Sequence, residues 1–199
     1  MASSLSYTPA VSTGNAAGLC AISLVLLVPL ALLAFADGPD PAKTGGFGEP
    51  TCLECHDDNG LNDASGRMSL SGIPEMYTPG KDYIITVTLA RPGLARAGFQ
   101  LAARFDQGSS AGKGAGALRT SDNRTQLLEG GDQRVTYIEH TLTGSKIDPV
   151  GTAEWTFGWT APTTSGSVLF HASANASNDD RSALGDFIYT AIARSVGGR

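Results

Sequence analysis

The sequence predicts a mainly β protein: an antiparallel, Ig-like β-sandwich over residues 73–193, preceded by an irregular segment and an N-terminal apolar helix. From residue 73 onward, apolar and polar residues alternate with a period of two, which places one side of each strand in a core. The 199-residue chain contains 25 Gly and 10 Pro, which suits short strands joined by turns. Since no long helical period is visible, we expect a single sandwich domain.

The first 36 residues are expected to be a signal peptide or a membrane anchor. Residues 18–36 carry no charge, and Ala-Phe-Ala at 34–36 before Asp37 resembles a cleavage site of the A-x-A type. The same stretch is just long enough to span a bilayer if it is retained as a helix. Both interpretations place the rest of the protein outside the cytoplasm, in the periplasm or at the cell surface.

Residues 37–72 are expected to form a Gly- and Pro-rich linker that carries the most specific motif of the chain, Cys52-Leu53-Glu54-Cys55-His56. Cys-x-x-Cys-His is the attachment signature of a c-type haem. The two thiols can each form a thioether with a haem vinyl group, and the histidine then binds the iron as its proximal ligand. Because the motif occurs once, the sequence predicts one haem c, attached to Cys52 and Cys55 and ligated by His56.

Two other interpretations of the cysteine pair are open. A zinc site usually has four ligands, so His140 and His171 would have to join Cys52 and Cys55. A thioredoxin-type redox pair would lie in a βαβ pattern, and the sequence shows none. The third cysteine, Cys20, lies in the apolar N-terminal stretch, so no pair remains for a structural disulfide.

The sandwich region is predicted to contain six short strands, followed by a tail at 194–199. A Gly- and Ser-rich stretch, residues 106–132, is expected to be a long loop between the second and third strands. Trp155, Phe157 and Trp159 alternate along one strand, so they are expected to share the core with Phe99. The predicted strands are 83–89, 99–105, 134–143, 155–159, 167–174 and 186–193.

Residues 73–190 resemble the Reeler-type β-sandwich family. The matching runs are YTPGKDY at 77–83, AGFQL at 97–101, WTFGWTAP at 155–162 and GDFIYT at 185–190. The whole exported part is similar to bacterial surface proteins in which a Gly-rich leader and a CxxCH motif precede such a sandwich. Many of those proteins carry a C-terminal sorting anchor, which residues 195–199 do not resemble. The resemblance therefore implies the fold, with the N-terminal segment as the membrane device, and says little about biochemical function.

The sixth ligand of the iron is the open question of the predicted site. His140 is the leading candidate, because it shares the apolar face of a predicted strand with Ile138 and Leu142. His171 is a weaker candidate, since Phe170 is the expected core residue and His171 would point to the outer face. Met68 and Met76 lie near the motif, and methionine is a common haem ligand. An open sixth position would instead allow binding of a gas or peroxide.

The function that these features predict is electron transfer by a monohaem c-type cytochrome, with a redox partner protein or a membrane redox complex. An electron carrier is favoured over a catalyst, and no hydrolase or nucleotide-binding motif is present. The 14 basic and 19 acidic residues give a net charge of −5, which argues against nucleic acid as a partner. Two alternatives are a cell-surface binding or structural module with an accessory haem, and a haem-based sensor.

Overall fold

The computed structural model describes residues 36–130, 135–147 and 151–198. The predicted signal peptide or anchor lies outside these residues, apart from Ala36. In the described part of the chain, no helix is both long and apolar enough to cross a membrane.

Two β-sheets pack face to face and enclose one core. The first sheet has four strands in the order β1-β3-β8-β5, and the second has six in the order β2-β10-β9-β4-β7-β6. Neighbouring strands are antiparallel, except that β2 pairs in parallel with β10. Among the described residues, two single-turn 3₁₀ helices, Cys52–Glu54 and Gly108–Ser110, lie outside the sheets. The strands are β1 (Arg67–Ser71), β2 (Met76–Tyr77), β3 (Asp82–Ala90), β4 (Arg96–Phe105), β5 (Ala117–Thr120), β6 (Thr125–Gly130), β7 (Val135–His140), β8 (Thr152–Thr160), β9 (Ser167–Ser177) and β10 (Phe187–Gly197).

The mainly β prediction is confirmed, and all six predicted strands are present as β3, β4, β7, β8, β9 and β10. The prediction of a long loop at 106–132 is wrong, because β5 and β6 lie within it. Likewise, β1 lies in the stretch that was predicted to be irregular, and β10 continues to Gly197 in the predicted tail. The sandwich therefore begins before residue 73 and ends after residue 193.

The core between the sheets is aromatic, as the alternating pattern predicts. Trp155, Phe157 and Trp159 on β8 are each at most 1% exposed, and Phe99 from β4 stacks on Trp155 with ring centroids 4.6 Å apart. Both indole N–H groups donate to backbone carbonyls at 2.9 Å, so the tryptophans are buried without leaving a polar atom unpaired. These contacts fix β8 against the inner face of the six-stranded sheet.

Part of the outer face of the six-stranded sheet is also covered, although such faces are often open to solvent. The covering segment (residues 36–66) crosses it and bonds to outward-facing side chains. The backbone N–H of Lys43 donates to Gln100 Oε1 at 2.7 Å, and that of Cys52 donates to Ser173 Oγ at 3.2 Å. Because of this cover, outward-facing Gln100 and Ser173 are fully buried. The same segment contains the Cys-x-x-Cys-His motif, so the fold holds the motif against the sheet.

Candidate functional site

The Cys-x-x-Cys-His motif forms one tight turn. Thr51 caps the 3₁₀ helix, its Oγ1 accepting from the Leu53 N–H at 3.2 Å. The carbonyl of Cys52 then accepts from the N–H groups of Cys55, at 3.3 Å, and His56, at 3.2 Å. The two thiols and the imidazole are therefore carried by one short, hydrogen-bonded stretch of backbone. Neither cysteine is in a disulfide, and Cys55 is exposed.

A cavity of about 470 Å³ lies between the motif and the six-stranded sheet. Its volume is in the range of cavities that hold organic ligands and cofactors, about 300–1,000 Å³. Both cysteines and His56 line it, and so does His140 from the end of β7. The leading candidate for the distal ligand and the predicted attachment motif therefore share one cavity.

His56 lies against a buried carboxylate. Its Nδ1 is 2.8 Å from Asp186 Oδ2, and Asp186 is only 1% exposed. Asn175 Nδ2 donates to the same oxygen at 2.9 Å and is 3.3 Å from both ring nitrogens of His56. Burial by itself would raise the pKa of Asp186, but hydrogen bonds from His56, Asn175 and Ser177 outweigh it and hold the pKa below its ordinary value. The Asp186 carboxylate is therefore held in its ionised form, at hydrogen-bond distance from His56.

His140 lies where β4 and β7 part. The two strands pair only at Gln100 with Glu139 and at Leu101 with Ile138. At the next position the His140 side chain replaces the strand pairing: the Phe99 N–H donates to its Nδ1 at 3.1 Å, and the Phe99 carbonyl oxygen lies 3.3 Å from the same nitrogen. His140 is 6% exposed, as expected for a buried residue, but Leu142 on the same predicted face is 51% exposed. The imidazole thus borders the cavity at a gap in the sheet.

Gly98 makes room for the His140 ring. A Cβ atom at residue 98 would lie 2.5 Å from His140 Cε1 and 2.9 Å from His140 Nε2, which is closer than real contacts allow. Gly98 also pairs across the sheet with Asn175, the residue that touches His56. Directly paired residues share one face with Cα atoms about 4.5–5.5 Å apart. The two imidazoles therefore lie over laterally adjacent positions of the same sheet face.

The other candidate ligands lie elsewhere. His171 is on the outer face, as predicted, but it packs under the covering segment against Gly46 and the Phe47 ring, with ring centroids 5.4 Å apart. Met68 is on β1 in the four-stranded sheet, where it packs against the sandwich core. Met76 is 67% exposed on β2. None of the three is among the residues that line the cavity.

Within the described residues, no group of three or more His, Cys, Asp and Glu side chains is arranged to hold a metal ion. The four-ligand set of the zinc interpretation is therefore not assembled there.

Burial raises the pKa of the Cys52 thiol to about 11. A reactive redox pair needs a lowered thiol pKa, so Cys52 does not resemble a thioredoxin-type cysteine.

Asn175 and Asp186 are the site residues that sequence reasoning missed. They lie 119 and 130 positions after His56, and neither belongs to a motif with it. The strand pairing offers the only signal: Asn175 is a polar residue in the interior of β9, and Asp186 directly precedes β10, the neighbour of β9. Their contact with His56 depends on where the covering segment crosses the sheet, which no local pattern records.

No protein-family model matches the sequence, and no curated protein matches it. Among solved structures, the human F-spondin reeler domain is 21% identical, with a TM-score of 0.45, over 70% of this chain and 95% of that one. AvmM, which catalyses macrocyclization in alchivemycin A biosynthesis, is 14% identical, with a TM-score of 0.46, over 70% and 91%. A cohesin module from a family 33 glycoside hydrolase of Clostridium perfringens is 10% identical, with a TM-score of 0.44, over 67% and 97%.

The neighbours include a reeler domain, the type of sandwich that the sequence resembles. Likeness at these identities and scores carries no argument about family or function.

Proposed function

We propose that the chain is a monohaem c-type cytochrome that carries electrons outside the cytoplasm, to or from a redox partner protein or a membrane redox complex. The single observation that carries the proposal is that Cys52, Cys55, His56 and His140 line one cavity of cofactor size. The motif supplies the two thiols and the proximal ligand, and the sheet supplies the distal ligand.

The residues of the cavity fit a haem chemically. Cys52 and Cys55 would each hold the haem through a thioether, formed by addition of the S–H bond across a vinyl group, with sulphur on one vinyl carbon and hydrogen on the other, which is redox-neutral. The turn at Cys52–Glu54 holds both thiols on the same short segment as His56. His56 Nδ1 already has an acceptor in Asp186, which leaves Nε2 as the nitrogen that would bind iron. When bound, the haem supplies one-electron oxidation and reduction.

His140 is the proposed distal ligand. Ligation through Nε2 would place the proton on Nδ1, which would then donate to the Phe99 carbonyl, 3.3 Å away, in place of accepting from the Phe99 N–H. The covering segment and the sheet would then both hold the cofactor, which keeps the iron away from water. A filled sixth position favours electron transfer over binding of a gas or peroxide.

The experiment that tests the proposal is expression of the full chain together with a c-type cytochrome maturation system. The protein should retain a haem stain after denaturation, and the reduced pyridine derivative should show the absorption band of a c-type haem. Cys52→Ala combined with Cys55→Ala should abolish the stain.

Cys20→Ala is the matched control, since Cys20 lies outside the motif and its loss should leave the stain unchanged. A colourless wild-type protein that binds one zinc ion would overturn the proposal.

A further inference from the structure

Asp186, which directly precedes β10, makes more hydrogen bonds than are needed to fix the start of that strand. Besides His56 and Asn175, which share Oδ2, the backbone N–H of Asn178 donates to Oδ1 at 3.3 Å. Its own carbonyl accepts from Asn59 Nδ2 at 2.9 Å, which ties Asp186 to the covering segment beyond the motif. The carboxylate is therefore held in one place, at hydrogen-bond distance from the ring that would bind iron.

The physical consequence concerns the donor strength of the imidazole. A histidine that donates its second ring N–H to a carboxylate is fixed in one tautomer and orientation, and it becomes a more basic ligand. A more basic ligand and a buried negative charge both stabilise ferric over ferrous iron. Hydrogen bonding near the iron and burial are among the means by which proteins set haem potentials.

We propose that Asp186 is a positioning residue that orients His56 and lowers the reduction potential of the haem, so that the carrier exchanges electrons with low-potential partners. The inference rests on the proposed function. The contact of Asp186 with His56 through Nδ1 carries it, together with the near-complete burial of the carboxylate.

The test is the midpoint potential of haem-loaded Asp186→Asn against the haem-loaded wild type. Asparagine keeps the size and an accepting oxygen but removes the charge, so the potential should rise while the haem stain is retained. The matched control is Asp179→Asn, because Asp179 lines the same cavity but pairs with Arg96 and is 43% exposed. Its shift should be clearly smaller, since Arg96 and solvent screen the charge of Asp179.

Equal potentials in the wild type and Asp186→Asn, or equal shifts in both variants, would overturn the inference and leave the cytochrome proposal intact. A wild type without covalent haem would overturn both this inference and the cytochrome proposal.

If Asp186→Asn does not accumulate, Asn175→Ala is the second variant. It removes the amide that shares Oδ2 with His56, so the carboxylate accepts more strongly from His56 and the potential should fall below the wild-type value. An unchanged or raised potential in Asn175→Ala would contradict the inference.

Discussion

Gly98 is the residue on which the position of His140 depends. It is not one of the described glycines with a left-handed φ, so what it provides is space. In Gly98→Ala the new Cβ would meet the His140 ring at 2.5 Å, and the ring has to move. We expect haem-loaded Gly98→Ala to shift from a six-coordinate low-spin spectrum toward a high-spin one and to bind carbon monoxide, measured by visible absorption.

The control for this substitution is Gly114→Ala. Gly114 also has no left-handed φ, and a Cβ there would meet nothing within 4 Å. Its spectrum should match the wild type. An unchanged low-spin spectrum in Gly98→Ala would mean that the histidine at the gap does not bind the iron.

Among single residues, the sequence predicts those site residues that belong to one contiguous motif. The motif is contiguous, so Cys52, Cys55 and His56 can be assigned by spacing alone. His140 could be nominated because it alternates with Ile138, but its setting could not be predicted: the parting of β4 and β7 depends on pairing that ends after two residues. Asp186 was beyond prediction, because its partner His56 reaches it only through tertiary packing.

At the scale of elements, the six strands that the sequence predicts include every strand with two neighbours in its sheet. The four missed strands, β1, β2, β5 and β6, are the four sheet edges. An edge strand pairs on one side only and is often short and polar. In β1 no residue is buried, and in β5 only Leu118 is. The alternating apolar pattern, which is the main signal of a strand, is therefore weak where a strand contributes little to the core.

The docking of the covering segment depends on a buried ion pair. Arg104 on β4 contacts Glu49, and their side chains are 7% and 10% exposed. Tyr137 donates to Glu49 and accepts from Arg104, so each of the three buried side chains has a hydrogen-bond or ion-pair partner. Removing one partner leaves an uncompensated buried charge, which costs about 3–5 kcal/mol. Arg104→Ala should therefore lower the free energy of unfolding by about that amount, measured by urea denaturation.

Arg119→Ala provides the comparison. Arg119 pairs with Asp82 on the exposed face of the four-stranded sheet, with side chains 49% and 64% exposed. Exposed ion pairs contribute at most about 1 kcal/mol, so this variant should unfold close to the wild-type midpoint. Comparable losses in both variants would show that Arg104 and Glu49 do not hold the covering segment in place.

For the whole molecule, the proposed haem would connect two parts of the chain that meet only on folding. The cofactor would be attached at Cys52 and Cys55, and its proposed distal ligand, His140, lies at the end of β7, after the six strands β1 to β6 in the sequence. The covering segment is already bonded to the sheet without it, through Gln100 and Ser173. The haem-free protein is therefore expected to fold, and the iron to histidine bond adds a cross-link to an existing structure.

Thermal unfolding can measure how much the bond between iron and His140 stabilises the folded protein. Linking positions about 84 residues apart restrains the unfolded chain by about 4.5 kcal/mol at most, by the chain-entropy relation for a covalent cross-link. In a protein of this size, each kcal/mol moves the unfolding midpoint by about 2–4 °C. Thermal unfolding should be compared for the wild type and His140→Ala, each with haem and each expressed without the maturation system.

His140→Ala loses the contacts of His140 with Phe99 both with and without haem. The stability lost with haem minus the stability lost without haem therefore measures the contribution of the bond between iron and His140. We expect His140→Ala to cost more stability with haem than without it. The control, His171→Ala, should cost the same in both states, because His171 packs against Phe47 and does not line the cavity. An equal cost of His140→Ala with and without haem would exclude His140 as the distal ligand. A haem-dependent cost of His171→Ala would assign that role to His171 instead.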